Sequence, residues 1–277
     1  MEKSQQKLVS ICIPTYNGAR FIERTIASVL NQSYSNIEII VCDDGSTDET
    51  VIKAGSFKDD RVKIIVNKIN LGLTANWNKA IENANGVYIK LLCGDDILHP
   101  DCIEKQVLVL EQDRNKEISL VACLSDVIDD RDDVIFVRKN LLKSGINNSR
   151  KAISRSIILG TNIIGEPMTG LFRKELFNAG CRYDGTNSYL IDFDFWIKLL
   201  QKGKLFVVPE HLASFRISSN SISSSLQLKQ YSLYSSFIKS LYRQGIISLI
   251  TYVMGRISAL LLVIPRNLIF MRIRRRK

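Results

Sequence analysis

Histidine and paired cysteines are scarce in this chain. Its 277 residues include two histidines, His99 and His211, and six cysteines, none of which form a Cys-x-x-Cys pair. Zinc sites need cysteine and histidine at short spacing, so we expect no zinc ion. The cysteines stand mostly within apolar runs, which is typical of reduced, buried thiols in a cytosolic protein.

The N-terminus lacks an apolar leader. Its first seven residues, MEKSQQK, are polar, so the sequence predicts no signal peptide. Hydrophobic residues make up 45% of the chain, which is enough for a buried core. The length suits one large α/β domain with an appendage, or two modest domains.

Acidic side chains are absent after Glu210. Residues 211–277 carry eleven Lys and Arg, whereas the first 210 residues carry 27 basic and 28 acidic side chains and are nearly neutral. The net charge of +10 therefore lies in the C-terminal part. A basic tail on a neutral body points to a polyanionic partner, either a nucleic acid or an anionic membrane surface.

The N-terminal half contains short apolar runs that are typical of buried strands. They are residues 8–14 (LVSICIP), 37–42 (IEIIVC), 61–66 (RVKIIV) and 87–96 (VYIKLLCGDD), and amphipathic helices are predicted between them. Alternating strands and helices indicate βαβ units with right-handed crossovers. The sequence therefore predicts an α/β fold with a Rossmann-like, mainly parallel sheet flanked by helices.

Three of these strands end on polar residues. The first runs into the turn at residues 15–17 (TYN), the second into Asp43 and Asp44, and the fourth into Asp95 and Asp96. Ligands of open α/β sheets bind outside the carboxyl ends of the strands. Adjacent carboxylates repel each other unless a cation shares them, and hard oxygen ligands suit Mg²⁺ or Mn²⁺ together with nucleotide phosphates. We therefore expect a nucleotide and metal site here, the alternative being ordinary surface turns.

Further along, two segments carry clustered acids. Residues 120–128 and 134–137 predict a hairpin around the acidic turn at 129–133, which we interpret as a solvated loop and not as a second metal site. In LIDFDFWIKLL (190–200), Asp192 and Asp194 stand among aromatic and aliphatic residues. Carboxylates in so apolar a setting must be paired, metal-bound or raised in pKa, which hints at function.

Taken in order, the motifs resemble those of family 2 of the glycosyltransferases, the inverting GT-A enzymes that build bacterial surface polysaccharides. The resemblance covers roughly residues 8–217, and we predict this stretch to be the catalytic domain and 218–277 to be a basic, helical tail. The motifs are VSICIPTYNG, IEIIVCDDGSTDET, NLGLTANWNKAI, GVYIKLLCGDD, GEPMTGLFRKELF and DFDFWIKLL.

The resemblance implies a nucleotide-diphosphate sugar donor, a glycan or lipid-linked acceptor, and Mn²⁺ or Mg²⁺ as cofactor. It implies that Asp95 and Asp96 bind the metal and that Asp192 is the catalytic base. The nucleotide-binding residues it implies are Pro14, Thr15, Tyr16, Asn17, Asp43, Asp44, Asn70, Gly72, Asn78 and Asp95. Weaker candidates for acceptor or phosphate contacts are Glu166, Asp194, Trp196 and Arg216; for Glu166 and Arg216 an ordinary loop salt bridge is at least as typical.

The chain departs from the family pattern at three places. The D-x-D motif reads Cys93-Gly94-Asp95, Ile191 replaces the acid before the base, and the Arg-x-His element reads Arg216-Ile217-Ser218. A non-catalytic relative is therefore one alternative. A nucleotidyltransferase is another, although PTYNGAR is not its glycine-rich loop. A basic nucleic-acid-binding protein is a third, but the segregated basic residues with few aromatics argue against a nucleic-acid partner.

Residues 246–264 predict an amphipathic helix. One apolar stripe contains Ile246, Ile250, Val253, Ile257, Leu260, Leu261 and Ile264. Arg256, near the middle, would cost about 2.5–3.5 kcal/mol inside a bilayer, so an in-plane position is expected. The basic residues after Pro265 favour the cytoplasmic face of an anionic membrane. The alternative is packing on the catalytic domain or on a second subunit of a homodimer.

Overall fold

The computed structural model of the protein describes residues 6–186, 189–217 and 230–261. Ser218, Ile264, Pro265 and the basic residues beyond Pro265 lie outside the described residues, so the predictions about them rest on sequence alone.

A ten-stranded sheet forms the centre of the described part of the chain. Eight strands follow one path in the order β3-β2-β1-β4-β9-β6-β10-β5, with β7 beside β6 and β8 beside β10. The strands are β1 (Val9–Thr15), β2 (Ile37–Asp43), β3 (Val62–Val66), β4 (Tyr88–Leu91), β5 (Ile97–Leu98), β6 (Ile118–Ile128), β7 (Val134–Val137), β8 (Gly145–Asn147), β9 (Gly170–Arg173) and β10 (Lys204–Arg216).

The four strands of the N-terminal half are parallel. β1 lies between β2 and β4, and its register runs from Val9 opposite Ile37 to Thr15 opposite Asp43. All seven residues of β1 and all seven of β2 are buried, because helices cover both faces of a parallel sheet. The predicted α/β fold is therefore confirmed, and its strand ends do align along one edge.

Beyond β4 the sheet becomes mixed. β9 pairs antiparallel with both β4 and β6, whereas β6 and β10 are parallel to each other. The predicted hairpin is confirmed, since β7 pairs antiparallel with β6. Parallel pairing is thus confined to the β3-β2-β1-β4 group and to the β6–β10 pair within the described strands.

The predicted strand at residues 87–96 is shorter than expected. β4 ends at Leu91, and a turn closed by the Asp96 amide donating to the Cys93 carbonyl (3.1 Å) follows it. The chain bends where Gly94 passes the end of β1, since a Cβ at this glycine would lie 2.9 Å from the Thr15 hydroxyl oxygen. The two carboxylates therefore stand in a tight turn and not on the strand itself.

Helices pack on both faces of the sheet. They are α1 (Ile22–Leu30), α2 (Thr50–Gly55), α3 (Leu73–Glu82), α4 (Cys102–Gln112), α5 (Ser149–Ile158), α6 (Lys174–Asn178), α7 (Ile191–Leu200), α8 (Gln230–Arg243) and α9 (Leu249–Leu261), with a 3-10 turn at Pro167–Thr169. Helices α1, α2 and α4 share one core, and α3, α5, α7 and α8 share the core on the opposite face.

The two C-terminal helices form a hairpin that lies on α5. The Tyr234 hydroxyl donates to the Ile157 carbonyl (2.8 Å), and the rings of Phe237 and Phe193 are 6.0 Å apart. Among the described residues, no helix is long and apolar enough to cross a membrane. The division of the chain at residue 217 stays a prediction.

Gly170 tests how tightly this core is packed. A Cβ at Gly170 would lie 2.3 Å from the ring of Trp196, which is fully buried. We expect Gly170→Ala to lower the free energy of unfolding by about 1–3 kcal/mol, because a full core cannot accept a methyl group without strain. Urea unfolding followed by circular dichroism measures this change.

The control is Gly55→Ala, at the end of α2. There the added Cβ would meet Ile64 at 3.7 Å, an ordinary contact. We expect this variant to have an unchanged free energy of unfolding, or one that is higher by at most about 1 kcal/mol, because alanine favours a helix. Equal effects of the two substitutions would contradict the packing described for Trp196.

Candidate functional site

Three loops meet at the carboxyl ends of β1, β2 and β3. The Asp44 amide donates to the Thr15 carbonyl (2.9 Å), and the Asn17 amide donates to the Ser46 hydroxyl (2.8 Å). Asn17, in the left-handed region with φ 50°, accepts from the Thr47 amide through its side chain (2.9 Å). Tyr16 at the tip of the turn is 53% exposed. The site thus has a fixed backbone and an open aromatic ring.

Asp43 and Asp44 hold these loops in place. Asp43 is fully buried and accepts from the amides of Gly45 (3.1 Å) and Ser46 (2.8 Å). Asp44 accepts from the Asn67 side chain (2.8 Å) and from two amides of the following loop, those of residues 71 (2.8 Å) and 72 (2.9 Å). Both carboxylates are therefore satisfied within the protein and shape the pocket as a pair.

The other residues assigned to the nucleotide lie in β1, in the loop after β3 and on α3. Asn70 accepts from the Gly72 amide (3.0 Å), and Gly72 has φ 84°, a conformation that glycine adopts without strain. Pro14 is buried in β1. Asn78 exchanges two hydrogen bonds with the Tyr183 backbone, at 2.9 and 3.0 Å, and so ties α3 to the segment that leads into α7.

Asp95 and Asp96 occupy the turn after β4, beside these loops. Burial raises the pKa of both carboxyls, and for Asp96 the neighbouring Asp95 charge adds to the increase. Asp96 is fully buried; its Oδ1 accepts from the Arg216 amide (2.9 Å), and its Oδ2 has no hydrogen-bond partner among the described residues. Two carboxylates whose negative charge is disfavoured by burial thus lie next to each other, and in the described part of the chain Oδ2 of Asp96 has no hydrogen-bond partner.

These features fit a divalent cation. A positive ion would relieve the repulsion between Asp95 and Asp96, and carboxylate oxygens are the ligands that Mg²⁺ and Mn²⁺ prefer. In the described part of the chain, no group of three or more His, Cys, Asp or Glu side chains is arranged to hold a metal ion. An ion held here would therefore need further ligands from water or from a bound diphosphate, which is usual for Mg²⁺.

Arg216 holds the turn that contains Asp95 and Asp96. Its guanidinium is fully buried, with Nε donating to the Asp95 carbonyl (2.7 Å), Nη1 donating to the Asp129 carbonyl, and Nη2 paired with Asp132. Its charge also lies 4.4 Å from the ring centre of Phe21. Every nitrogen of the guanidinium is engaged, so in this structure Arg216 positions the carboxylate turn, and its proposed contact with phosphate or acceptor is untested.

The acidic turn at 129–133 is part of the same arrangement. Besides Arg216, it pairs with Arg20 through Asp130 (2.7 Å) and with Arg24 through Asp132 (3.1 Å). The turn predicted to be a solvated loop is exposed at residues 131–133, and its acidic side chains also pair with three arginines.

Asp192 begins α7 on the other side of the pocket. Burial, followed by the charge of Glu166, raises its pKa from 3.8 to about 6. Its Oδ2 accepts from the side chain of Asn162 (3.0 Å), which also donates to the Gly165 carbonyl (2.7 Å). A carboxylate held in one orientation with a pKa near 6 is suited to accept a proton at neutral pH.

Cys93 shows that these groups converge. Burial raises the pKa of its thiol well above 9, and the charges of Asp96, Asp95, Asp192 and Glu166 raise it further. The thiol is therefore neutral and lies within electrostatic reach of all four carboxylates. The predicted metal pair and the predicted base thus lie on the same side of the protein, near Cys93.

Glu166, Asp194 and Trp196 differ in what they face. Glu166 pairs with Arg138 and borders the pocket. Asp194 pairs with Lys198 one turn along α7 (2.6 Å). Trp196 is fully buried, and its Nε1 donates to the Gly165 carbonyl (2.8 Å). Asp194 and Trp196 therefore stabilise α7 and its neighbouring loop in this structure, and their predicted acceptor contacts remain untested.

Sequence reasoning missed Asn162 and Arg138. Asn162 orients the candidate base, and Arg138 balances the charge of Glu166. Neither belongs to an acidic motif at a strand end, and nothing in their local sequence marks them. They are identified only by contacts between loops that are far apart in the sequence and close together in the folded protein.

Solved structures of similar shape define the class of protein. S. aureus TarS with UDP-GlcNAc superposes with a TM-score of 0.68 at 16% identity, covering 84% of this chain and 66% of that one. A mannosyltransferase from Pyrobaculum calidifontis, solved with GDP-Man and Mn²⁺, gives a TM-score of 0.65 at 14% identity over 94% of this chain and 70% of that one. The fold is that of the GT-A glycosyltransferases.

Sequence comparison gives the family. The model for Glycosyl transferase family 2 matches residues 10–178. A Rickettsia typhi protein named as an uncharacterized glycosyltransferase is 31% identical over 249 residues, 89% of this chain and 76% of that protein. The chain belongs to glycosyltransferase family 2, as its motifs indicated.

A shorter match carries a more specific name. The Escherichia coli UDP-Glc:alpha-D-GlcNAc-diphosphoundecaprenol beta-1,3-glucosyltransferase WfgD is 40% identical over 103 residues, 37% of this chain and 41% of that protein. This chain spans about three quarters of the length of the Rickettsia relative and just under two thirds of the TarS chain.

The Arg216 contacts can be tested by a pair of conservative substitutions. We expect Arg216→Lys to lower the free energy of unfolding by about 2–3 kcal/mol, because an ammonium cannot replace a buried guanidinium that donates in three directions. Arg24→Lys is the matched control, since Arg24 pairs with the same Asp132 but is 49% exposed.

The control should change stability by less than about 0.5 kcal/mol, because an exposed ion pair contributes little. Urea unfolding of both variants provides the comparison. If Arg216→Lys is as stable as Arg24→Lys, the arginine does not support the carboxylate turn.

Proposed function

We propose that the protein is an inverting glycosyltransferase that moves a sugar from a nucleotide-diphosphate sugar to an acceptor hydroxyl. The observation that carries the proposal is the convergence of Asp95, Asp96 and Asp192 around Cys93 at the ligand edge of the sheet. This arrangement supplies a place for a diphosphate on one side and a base on the other. Family membership supports the reaction class.

The donor nucleotide is proposed to lie across the three loops at the ends of β1, β2 and β3. The exposed ring of Tyr16 offers a stacking surface for the base, and the polar edge formed with Asn17 and Asn70 offers hydrogen-bonding groups. TarS was solved with UDP-GlcNAc and the Pyrobaculum enzyme with GDP-Man, which supports a nucleotide sugar as ligand of this fold.

Asp95 and Asp96 are proposed to hold Mn²⁺ or Mg²⁺, whose positive charge would stabilise the departing diphosphate when it is bound. The neighbouring solved enzyme with GDP-Man and Mn²⁺ supports a divalent ion in this fold. The Arg216 contacts hold the Asp96 carboxylate and the Asp95 carbonyl in place.

Asp192 is proposed to be the general base. Its carboxylate takes the proton of the acceptor hydroxyl while the oxygen attacks the anomeric carbon. The bond from that carbon to the diphosphate oxygen breaks, the nucleoside diphosphate leaves, and the configuration is inverted. Asn162 holds the carboxylate in position, and burial together with the charge of Glu166 raises its pKa to about 6.

The acceptor is proposed to be a lipid-linked glycan or a growing polysaccharide in cell-surface glycan synthesis. WfgD, whose name specifies a sugar on diphosphoundecaprenol, supports this class of acceptor. A non-catalytic relative is the alternative, because Cys93 and Ile191 replace acids of the family pattern.

A panel of UDP-, GDP- and dTDP-sugars with Mn²⁺ or Mg²⁺ tests the donor site. We expect hydrolysis or transfer with at least one donor, and we expect Asp95→Asn to abolish it and to remove the metal-dependent part of nucleotide binding measured by calorimetry. Asp60→Asn, an exposed aspartate away from the site, is the control and should behave as wild type. No binding or turnover of any donor would refute the enzyme proposal.

The role of Asp192 predicts a particular pH dependence. Activity should rise as the pH increases through about 6, because the base must lose its proton to act. Asp192→Asn should lower kcat at least about a hundredfold with donor affinity nearly unchanged. Glu166→Gln should move the rise to lower pH, because it removes the charge that raises the pKa of Asp192.

Steady-state rates between pH 5 and about 8, with donor binding measured in parallel, separate these effects. Loss of donor binding in Asp192→Asn would give the residue a structural role instead. An acid limb that Glu166→Gln leaves unmoved would show that the limb does not report Asp192.

A further inference from the structure

Helix α9 turns an apolar surface outward. Its exposed side chains follow one stripe along the helix, and none of them enters the core: Leu249, Ile250, Val253, Met254, Ile257, Leu260 and Leu261. We call these seven residues the outer face of α9. Ile250 is 75% exposed and Leu261 is 69% exposed. Seven large apolar residues in one stripe form a surface of the kind that binds another molecule or a membrane.

The opposite side of α9 is what attaches it to the protein. Its buried residues are the small side chains Thr251, Gly255 and Ala259. A Cβ at Gly255 would lie 2.5 Å from the Ile157 side chain, so α9 lies directly against α5. Small residues allow this close contact between α9 and α5. The large apolar residues of α9 lie on the opposite side of the helix, where the contact with α5 does not cover them.

The helices that pack together with α9 carry positive charge only. Helices α5, α8 and α9, which pack on one another, contain no Asp or Glu. They carry six exposed basic residues, namely Arg150, Lys151, Arg155, Lys239, Arg243 and Arg256. The sequence beyond residue 261 adds six more basic residues and no acid. An apolar stripe on a helix whose packed neighbours are cationic complements an anionic lipid layer.

We propose that the outer face of α9 binds an anionic membrane surface, with the helix lying in the plane of the interface. The basic residues of α5 and α8 would contact the lipid headgroups, and Arg256 would remain at the level of the headgroups on the side of the helix. A second copy of the chain fits less well, because a symmetric pairing of these faces would bring the cationic helices of both copies together.

Helix α9 is linked to the candidate site through α5. α9 packs on α5, and the loop after α5 carries Asn162, which donates to the candidate base Asp192. A membrane bound by α9 would hold the protein at the surface that carries a lipid-linked acceptor. This last step rests on the proposed function, whereas binding to lipid does not.

Vesicle sedimentation of the full chain, without any substrate, tests the proposal. We expect binding to vesicles of phosphatidylcholine with phosphatidylglycerol, weaker binding to phosphatidylcholine alone, and a decrease as salt rises. The double variant Ile250→Asp with Ile257→Asp should lower partitioning at least about tenfold, because it places charges in the apolar stripe.

The matched control is Ile52→Asp with Leu108→Asp. These residues lie on α2 and α4 and are 75% and 56% exposed, against 75% and 51% for Ile250 and Ile257. The control should bind vesicles as wild type does, and circular dichroism should show both variants folded. If wild type does not bind anionic vesicles, or if both double variants bind equally, the proposal is wrong.

The mass of the protein in solution separates the membrane from a second subunit. Light scattering should give the same mass for wild type and for the α9 variant. A dimer that the α9 substitutions convert to monomer, without vesicle binding by wild type, would assign the outer face to self-association and overturn the membrane proposal. If wild type binds anionic vesicles but transfers no sugar from any donor of the panel, the proposed function is refuted and this inference stands.

Discussion

The buried guanidinium of Arg216 is the interaction on which the candidate site depends. It comes from the end of β10, far along the chain, and holds the turn after β4 through the Asp95 carbonyl and, by its own amide, through Asp96. On its other side it is fixed by the acidic turn at 129–133. A buried cation needs such partners, because an unpaired charge in the interior is costly. The arginine thus joins three separate segments, and the orientation of the Asp95 and Asp96 carboxylates follows from that junction.

The need of buried charges for partners also explains the arrangement of the other carboxylates. Asp43 and Asp44 use their oxygens to accept from loop amides, so the loops at the ends of β2 and β3 are held in place by the protein's own hydrogen bonds. The carboxylates that are left less satisfied are those near Cys93, and burial raises the pKa of Asp95, Asp96 and Asp192 there. Neutral side chains in place of these three carboxylates would make the folded protein more stable. Their retention in a folded pocket is typical of groups that await a cation or a proton.

The sequence predicted the parallel half of the sheet and the position of its carboxylates, because buried strands and their polar ends leave a local pattern in the chain. It did not predict that β4 would end at Leu91, several residues before the carboxylates, although it did mark Gly94 as a turn residue. The role of the 129–133 turn was also hidden. Its acids look solvated in sequence, and only contact with arginines from α1 and β10 shows them to be anchors. Asn162 likewise acts through a contact between distant loops.

The two positions that depart from the family pattern remove negative charge without removing the proposed chemistry. Ile191 is buried in the core shared by α3, α5 and α7, where a carboxylate would need a partner of its own. Cys93 is a neutral thiol, since its pKa is far above the physiological range. Acids at both places would have added to the repulsion among the carboxylates that already surround Cys93. With those two gone, Glu166 is the main neighbouring charge that sets the pKa of Asp192, and Arg138 is the cation that balances Glu166. Burial and the charge of Glu166 therefore set the pKa of Asp192, and the cation that balances Glu166, Arg138, lies outside the family motifs.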